Sequence, residues 1–489
     1  MTSHIATSAE MEIHRHKIHR GYHGFPTRLF MRLSSVEGAF SQVHVILTGG
    51  VFLTALALSM GAQPWQLGLL AAVPHITQIF QLIGAYLVEA THHRKLTAIL
   101  GFGISRLLWI GIPFLFLMQN SQTAVAWFLA IIIASSSLGL LAGNAWTTWM
   151  ADLIPPRLRG RYFGFRHGII AAVTIGSSVL GGIWLDWGGD ILGEATALTY
   201  IVGVASLAGF VGVVLLGRQP DIHRPEERKA PRFRDLITGP VKNRQFRRSL
   251  EFFMAWNVAI GFTAAFFNVH LIRELGVSFI TIGLFQSVNP FLGIFLFKWW
   301  GRIIDRFQIR SVLLVSGLVV TTLPIIWLFP TSEHPGWIWV IAILSGLSWT
   351  GFNLSAYTYP MRYSPRIGRS YYLAYFYIIS GLGFVVSALA GGIFAQTLAD
   401  WRVSWPILEG RTFMVHHIMF VITAGMRVLS LTLLFRLRDV KAEGTIALVS
   451  HIGSHIWRAA SWGRPFPRWI RRRIPSSPPT DTPPLNIPD

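Results

Sequence analysis

Residues Gly301–Arg310 read GRIIDRFQIR and join two long apolar stretches, residues 278–300 and 311–330. A helix needs about 20 mainly apolar residues to cross about 30 Å of hydrocarbon. Both stretches are long enough, so Gly301–Arg310 is predicted to be a short loop between two membrane spans. The composition agrees, because 52% of the 489 residues are hydrophobic, only 13% are charged, and the mean hydropathy is +0.49.

Further stretches of the same kind lie on both sides of this pair. Most gaps between them are shorter than a dozen residues, which leaves no room for a second soluble domain. The predicted fold class is therefore an all-α integral membrane protein with twelve transmembrane helices. The predicted spans are residues 35–59, 64–88, 96–118, 123–151, 163–185, 191–217, 249–272, 278–300, 311–330, 336–361, 370–396 and 413–436.

The charge balance is strongly basic, since 42 Lys and Arg against 22 Asp and Glu give a net charge of +20. On a soluble protein this excess would indicate nucleic-acid binding, but here it lies in loops around apolar spans. We therefore predict a lipid bilayer and no nucleic acid as partner. The absence of cysteine from the sequence excludes disulfides, thiolate metal sites and cysteine nucleophiles, and no metal or cofactor is predicted.

The distribution of Lys and Arg predicts the orientation, because short loops rich in them stay on the cytoplasmic side. The odd-numbered loops contain only Arg273, Arg402 and Arg411. Both termini are thus predicted to be cytoplasmic, in the inner or plasma membrane. The longest gap divides the chain into a basic N-terminal arm (1–33), a six-helix unit (34–217), a cytoplasmic linker (218–248), a second six-helix unit (249–438) and a basic, Pro-rich tail (439–489).

The two six-helix units show signs of an internal repeat, which is common in transporters. A shift of 216 residues places Glu89 on Asp305 and Arg94 on Arg310. A shift of 209 residues aligns Asn144 with Asn353. The order and the similar offsets of these matches predict two pseudo-symmetric halves.

The loop GRIIDRFQIR closely resembles the G-x-x-x-D-R-x-G-R-R loop motif of the major facilitator superfamily, with Gln308 in place of the second glycine. The first-half counterpart, GAYLVEATHHRK from Gly84 to Lys95, is a degenerate form of the motif. The segments PPRLRGRYFGFR, ending at Arg166, and KNRQFRR in the linker also look like this superfamily. The resemblance covers residues 34 to about 438 and is not specific for a subfamily.

The resemblance implies two six-helix bundles that rock about a central site and transport a small solute by alternating access. The alternative is a non-transporting member of the same fold that acts as a receptor or assembly factor. An enzyme is not expected, because H-E-x-x-H and G-x-S-x-G motifs are absent. The predicted lining is compatible with drugs, sugars, amino acids and lipids alike, and a monomer is expected.

The loop motif itself implies a latch that holds the cytoplasmic ends of the bundles together when the protein opens outward. Its carboxylate can meet a helix N-terminus or an arginine of the next cytoplasmic loop. The alternative is that these charges only anchor the loops on the cytoplasmic side. The latch candidates are Glu89, Arg94, Asp305, Arg306 and Arg310.

Polar residues recur at helical spacing in the spans that the resemblance places around the cavity, namely the first, fourth, seventh and tenth. Because polar side chains in membrane helices avoid lipid, these faces are predicted to point inward. The alternatives are hydrogen bonds between helices for the polar residues and packing for the tryptophans. The cavity candidates in these four spans are Ser41, His44, Thr48, Asn144, Trp256, Asn257, Trp349, Asn353 and Tyr357. The interface spans, the second and the eighth, add Gln78, Gln286 and Asn289.

Three ionisable residues are candidates for proton coupling: Glu37, His44 and Glu251. Imidazole changes charge near neutral pH, whereas the two carboxylates lie near span ends where they can instead pair with arginines. Arg106 and Arg427 lie deep in the third and twelfth spans. They are expected either to reach an acid such as Glu37 or Glu251 or to bind an anionic substrate.

Overall fold

The computed structural model of the protein describes residues 27–91, 93–154, 156–221, 243–364, 369–404, 412–437, 448–450 and 453. Most of the predicted N-terminal arm, linker and tail lies outside these residues. Twelve membrane-crossing segments run through the described chain, so the twelve predicted transmembrane helices are confirmed. We call the side where span 1 begins and span 12 ends the terminal side, and the opposite side the distal side.

The first six spans include two that are broken. Span 1 consists of Thr27–Leu47 and Gly50–Ser59, and span 2 of Pro64–Ile76 and Ile79–Thr91. The halves of span 2 are too short to cross a membrane singly, whereas the other spans of the described chain are continuous enough to do so. The remaining spans of this half are Arg94–Trp109 with the turn Ile112–Leu115 (span 3), Ser121–Leu153 (span 4), Pro156–Leu192 (span 5) and Glu194–Gly217 (span 6).

The second half repeats this plan and adds a short hairpin that the all-α prediction did not include. Strands β1 (Arg402–Ser404) and β2 (Thr412–Met414) pair antiparallel before the last span. The spans are Arg244–Gly261, Phe266–Val269 and the π-helical turn His270–Glu274 (span 7), Phe279–Phe307 (span 8), Ile309–Ile326 (span 9), Trp337–Tyr363 (span 10), Arg369–Thr397 (span 11), and Val415–Thr432 with the 3-10 turn Leu433–Arg436 (span 12).

The same packing pattern occurs in both halves. Span 1 packs on spans 5 and 6, and span 4 on spans 2 and 3; correspondingly, span 7 packs on spans 11 and 12, and span 10 on spans 8 and 9. Between the halves, span 5 packs on span 8 and span 2 on span 11. These two symmetric pairs join two six-helix bundles.

The apolar cores show where the bundles meet. On the distal side one core is continuous across both bundles, from Phe52 and Phe128 in the first to Phe266 and Phe420 in the second. On the terminal side each bundle has its own core, around Trp149 in the first and around Trp256 in the second. The bundles therefore share a large core on the distal side and a small cluster of Ala72, Phe384 and Ala388 near mid-span, whereas their terminal-side cores are separate among the described residues.

The loop GRIIDRFQIR adopts a tight turn at the position where the motif departs from its pattern. Gln308 has φ +73° and ψ 149°, and among described residues other than glycine it alone has a positive φ. This backbone region is essentially restricted to glycine, because a Cβ atom is crowded there.

We expect Gln308→Gly to stabilise the protein by about 1 kcal/mol, since relief of this strain outweighs the added freedom of the unfolded chain. Thermal unfolding of the purified protein in detergent measures the effect. Gln308→Ala is the control, because it removes the side chain but keeps the strained backbone. If Gln308→Ala raised the stability as much as Gln308→Gly does, backbone strain would not be the cause.

Candidate functional site

The distal closure is fixed by a carboxylate of one bundle on a helix end of the other. Asp186, near the distal end of span 5, accepts hydrogen bonds from the backbone N–H groups of Phe279 at 2.7 Å and Ile280 at 2.8 Å. These residues begin span 8, and the first N–H groups of a helix have no partner within the helix. The negative charge also interacts favourably with the positive end of the helix dipole. Asp186 thus caps span 8 across the bundle boundary.

Glycines let the backbones of the two bundles touch beside this cap. A Cβ atom on Gly182 of span 5 would collide with the carbonyl of Phe279, and one on Gly283 of span 8 with the carbonyl of Ser178. The symmetric pair shows the same feature, since a Cβ atom on Gly392 of span 11 would lie 2.9 Å from the carbonyl oxygen of Pro64. Both helix pairs are therefore in backbone contact on the distal side.

Two further hydrogen bonds cross the boundary in this region. Asn268 Nδ2 donates to Thr54 Oγ1 at 3.5 Å, and Gln396 Nε2 donates to Gln63 Oε1 at 3.4 Å. Gly50 lies against Gln286, whose Oε1 would be 3.3 Å from a Cβ atom there. The candidate Gln286 thus belongs to the distal closure between the bundles.

Asn257 lies on span 7, 11 residues before Asn268, which contacts span 1 of the other bundle. At a rise of about 1.5 Å per residue, Asn257 lies about 16 Å closer to the terminal side. Its side chain is half-buried and donates to the carbonyl of Phe253 at 2.8 Å.

The remaining polar cavity candidates differ in exposure. Asn144 is half-buried and donates to the carbonyl of Gln81 at 2.8 Å, while Asn289, Asn353 and Tyr357 are exposed. Gln78 is half-buried at the break of span 2. Contact of these side chains with a substrate stays a prediction.

The two tryptophan candidates pack within the second bundle. Trp256 is only 1% exposed and stacks on Phe352 with ring centroids 4.4 Å apart. Trp349 is half-buried and lies edge-on to Trp256 at 6.5 Å. Packing, the alternative for these residues, accounts for the contacts of Trp256.

The polar stripe of span 1 lies inside the first bundle rather than along its boundary with the second. His44 Nδ1 donates to the carbonyl of Ala205 in span 6 at 3.0 Å. Ser41 lies against Gly212 of the same span and donates to Glu37 at 2.9 Å. Thr48 Oγ1 donates to the His44 carbonyl at 2.6 Å. Span 6 has room for this polar face because glycine lies opposite it. Contact of these residues with a substrate remains a prediction.

Glu37 forms a buried ion pair with a residue that the sequence analysis did not single out. Arg166 of span 5 donates from Nη1 and Nη2 to Glu37 Oε2, each at 3.2 Å, and also to the carbonyl of Ser34. Its guanidinium lies 4.7 Å from the ring centroid of Trp146. The available signal was the position of Arg166 at the end of the segment PPRLRGRYFGFR.

Glu251, unlike the buried Glu37, lies in an exposed ion pair. It lies 3.9 Å from Arg247, one helical turn earlier, and both side chains are about half exposed, at 45% and 53%. Pairing with an arginine at a span end, the alternative in the sequence analysis, accounts for this contact. Its role in proton coupling remains a prediction.

The two deep arginines lie between the third and sixth spans of their bundles. Arg427 is 3% exposed and donates to the carbonyl of Val320 in span 9 at 2.9 Å. This carbonyl is free because Pro324, four residues later, has no N–H to donate. Arg106 lies beside Gly209 of span 6, next to His44, with its guanidinium 4.9 Å from the ring centroid of Phe102. Arg427 is thus a brace between spans 9 and 12.

The structure describes the side chains of four of the five latch residues. Asp305 and Arg306 are exposed, and Asp305 has no ion-pair partner among the residues that the structure describes. Arg310 lies over the ring of Phe435 at 5.9 Å, and Arg94 is half-buried. The side chain of Glu89 is outside the described residues. The latch stays a prediction.

Comparison with known proteins identifies the family. A profile described as Major Facilitator Superfamily matches residues 39–387. The chain belongs to the Major Facilitator Superfamily. The resemblance carried by GRIIDRFQIR is therefore confirmed, and the chain is a secondary transporter rather than an enzyme. No curated protein sequence matches it.

Solved structures of this superfamily share the fold at low sequence identity. The nucleoside transporter NupG has a TM-score of 0.62 at 13% identity, over 85% of this chain and 100% of its own. A D-xylose–proton symporter has a TM-score of 0.60 at 14% identity, over 84% of this chain and 97% of its own. A bacterial homolog of the lysosomal transporter Spinster, in an inward-facing and occupied conformation, has a TM-score of 0.61 at 14% identity, over 85% of this chain and 97% of its own.

Proposed function

We propose that this superfamily member transports a small solute by alternating access and that the structure is its inward-facing state. The observation that carries the proposal is the asymmetry of the bundle contacts. The cap of Asp186 on span 8 and the common core close the distal side, whereas the bundles have separate cores on the terminal side.

The terminal side is proposed to be the cytoplasmic side. Loops rich in Lys and Arg remain in the cytoplasm, and the loops on the distal side have only Arg273, Arg402 and Arg411. The protein would then lie in the inner or plasma membrane as a monomer surrounded by lipid. In this orientation Asp305 and its counterparts would latch the bundles in the outward-facing state.

The proposed substrate site lies between the amides of the two bundles. Asn144 of span 4 and Asn353 of span 10 occupy equivalent positions in the repeat, and Asn257 lies on span 7, which contacts the first bundle through Asn268. Amides both donate and accept hydrogen bonds, which suits a polar solute. Proton coupling through Glu37 or His44 is the further proposal that the sequence raised.

A reversible crosslink across the distal closure tests transport. Gln63→Cys and Gln396→Cys, joined by a short cleavable bifunctional thiol reagent, should stop uptake into proteoliposomes because the distal side can no longer open. Reductant should restore the uptake. The natural chain has no cysteine, so the reagent acts only at the two introduced thiols. Radiolabelled uridine, D-xylose and dialanine are the probes.

The receptor alternative gives a different result in the same system. A probe that raises the melting temperature of the protein but shows no uptake without the crosslink would favour a receptor. Asn144→Ala and Asn353→Ala should each weaken the thermal shift that a transported probe causes. An unchanged shift in both variants would contradict a central site.

A further inference from the structure

His75 lies where the two bundles touch in the middle of the membrane. It is in span 2, directly after Pro74 and two residues before the break at Thr77. Its ring centroid is 4.0 Å from that of Phe384 in span 11, with the ring planes tilted by 32°. Because span 11 belongs to the second bundle, any relative movement of the bundles at this level changes this contact.

A second polar residue links His75 to span 11. Gln78 Nε2 lies 3.4 Å from His75 Nδ1. Gln78 Oε1 is buried and without a partner among the described residues. Gly381 of span 11 makes room for both, since a Cβ atom there would be 2.9 Å from Gln78 Oε1 and 3.3 Å from His75 Nδ1. The polar pair therefore points across the bundle boundary.

Among the residues whose side chains the structure describes, no carboxylate contacts His75. The helix Pro64–Ile76 packs on spans 4 and 11. The charged residues of these two spans are Asp152 and Arg369, both at the terminal ends, and the tyrosines of span 11 are Tyr371, Tyr372, Tyr375 and Tyr377. The immediate surroundings of Phe384 are apolar, with Ala72 and Ala388 in the same cluster.

His44, the histidine candidate for proton coupling, contacts only spans of its own bundle among the described residues. His44 is 4% exposed and contacts spans 3 and 6 of its own bundle, through Trp109 and Ala205. Movement of one bundle against the other leaves these contacts intact. His75, by contrast, contacts the second bundle, so movement of one bundle against the other moves Phe384 relative to it.

We propose that His75 is the residue at which a proton enters the transport cycle of this protein. The proton binds Nδ1, which turns from acceptor to donor and loses the hydrogen bond from Gln78 Nε2. The unpaired Gln78 Oε1 then accepts from Nδ1 after the amide rotates, which turns its N–H groups toward Gly381. A charged ring packed against the apolar ring of Phe384, with no carboxylate beside it among the described residues, is disfavoured. Protonation therefore favours opening of the span 2–span 11 contact, and with it the state open to the distal side.

The proposal rests on alternating access but is tested without a substrate. Ala195→Cys and Ser332→Cys are exposed distal positions, one in each bundle, for spin labels in the cysteine-free chain. Double electron–electron resonance in lipid nanodiscs should show a long-distance population about fivefold larger at pH 5.5 than at pH 7.5, since imidazole titrates in this range.

Substitutions of the two histidines separate the proposal from a general effect of pH. His75→Gln should remove the pH dependence and His44→Gln should not, whereas the opposite result would assign the proton to His44, the coupling candidate raised by the sequence. His75→Phe retains the ring contact with Phe384 without a titratable group, and it serves if the glutamine variant folds poorly. A pH dependence that persists in either His75 variant, or its absence from the unsubstituted protein, would overturn the proposal.

Uptake into proteoliposomes, measured together with the spin-label distances, distinguishes the role of His75 from transport itself. A pH-dependent distance without uptake of any probe would leave the role of His75 as a proton switch and argue against transport. Uptake that keeps its pH dependence in His75→Gln would leave transport in place and overturn the role of His75.

Discussion

Asp186→Ala is expected to shift the protein toward a state that is open on the distal side. The substitution removes two hydrogen bonds from a carboxylate to the first N–H groups of span 8, at 2.7 and 2.8 Å. Hydrogen bonds to charged groups contribute more than neutral ones, and the helix dipole adds to them. We expect a loss of about 2 kcal/mol for the closed state, which corresponds to about a 30-fold change in the equilibrium.

Labelling of Thr54→Cys measures this shift. Thr54 contacts Asn268 across the closed boundary, so a membrane-impermeant maleimide added from the distal side should reach it only after opening. The labelling rate with Asp186→Asn should fall between the rates with Asp186→Ala and with the natural residue, because one acceptor oxygen remains. Asp190→Asn, an exposed carboxylate one turn further along span 5, is the control and should label at the unchanged rate. Equal rates for Asp186→Ala and Asp190→Asn would contradict the role of the cap.

The spans predicted from the sequence place Asp186 directly after the fifth span and give it no partner. Its partners, the N–H groups of Phe279 and Ile280, are 93 and 94 residues away and belong to the other bundle. No local pattern specifies such a pairing, since a helix N-terminus has the same unpaired groups wherever it lies. By contrast, the spans are predictable because each long apolar stretch must cross the hydrocarbon as a helix.

The polar face of span 1 is a second case in which the sequence does not specify the partner. The spacing of Glu37, Ser41 and His44 predicts correctly that they share a face. The direction of that face depends on the small residues of span 6, among them Gly212, which let polar side chains approach. Periodicity defines the face of a helix, but the partner of that face depends on packing between distant segments.

The loop motif gives a more complete prediction, because its sequence and its backbone are linked directly. The pattern has glycine where this chain has Gln308, and the structure has a positive φ at this residue. The break of span 2 is partly foreseeable in the same way, since Pro74 cannot donate to the carbonyl of Leu70. Backbone requirements are local and therefore visible in the sequence.

Loss of the buried ion pair in the first bundle is expected to have the largest effect on stability. Glu37 and Arg166 have side chains that are 5% and 9% exposed, and both Nη atoms of the arginine bond to one carboxylate oxygen. Glu37→Ala would leave the guanidinium buried without its carboxylate. Removal of one partner from a buried pair costs about 3–5 kcal/mol, mainly because the remaining charge stays uncompensated. We therefore expect a large fall in melting temperature, or failure to obtain folded protein.

A double-mutant cycle separates the pair from the general effect of a smaller side chain. Glu37→Gln with Arg166→Met removes both charges at similar volume, so the double variant should be more stable than Glu37→Gln alone. The exposed pair of Glu251 and Arg247 is the matched control, and Glu251→Gln there should cost less than about 0.5 kcal/mol. Additive losses at Glu37 and Arg166, with no recovery in the double variant, would show that the two side chains stabilise the bundle independently of their charges.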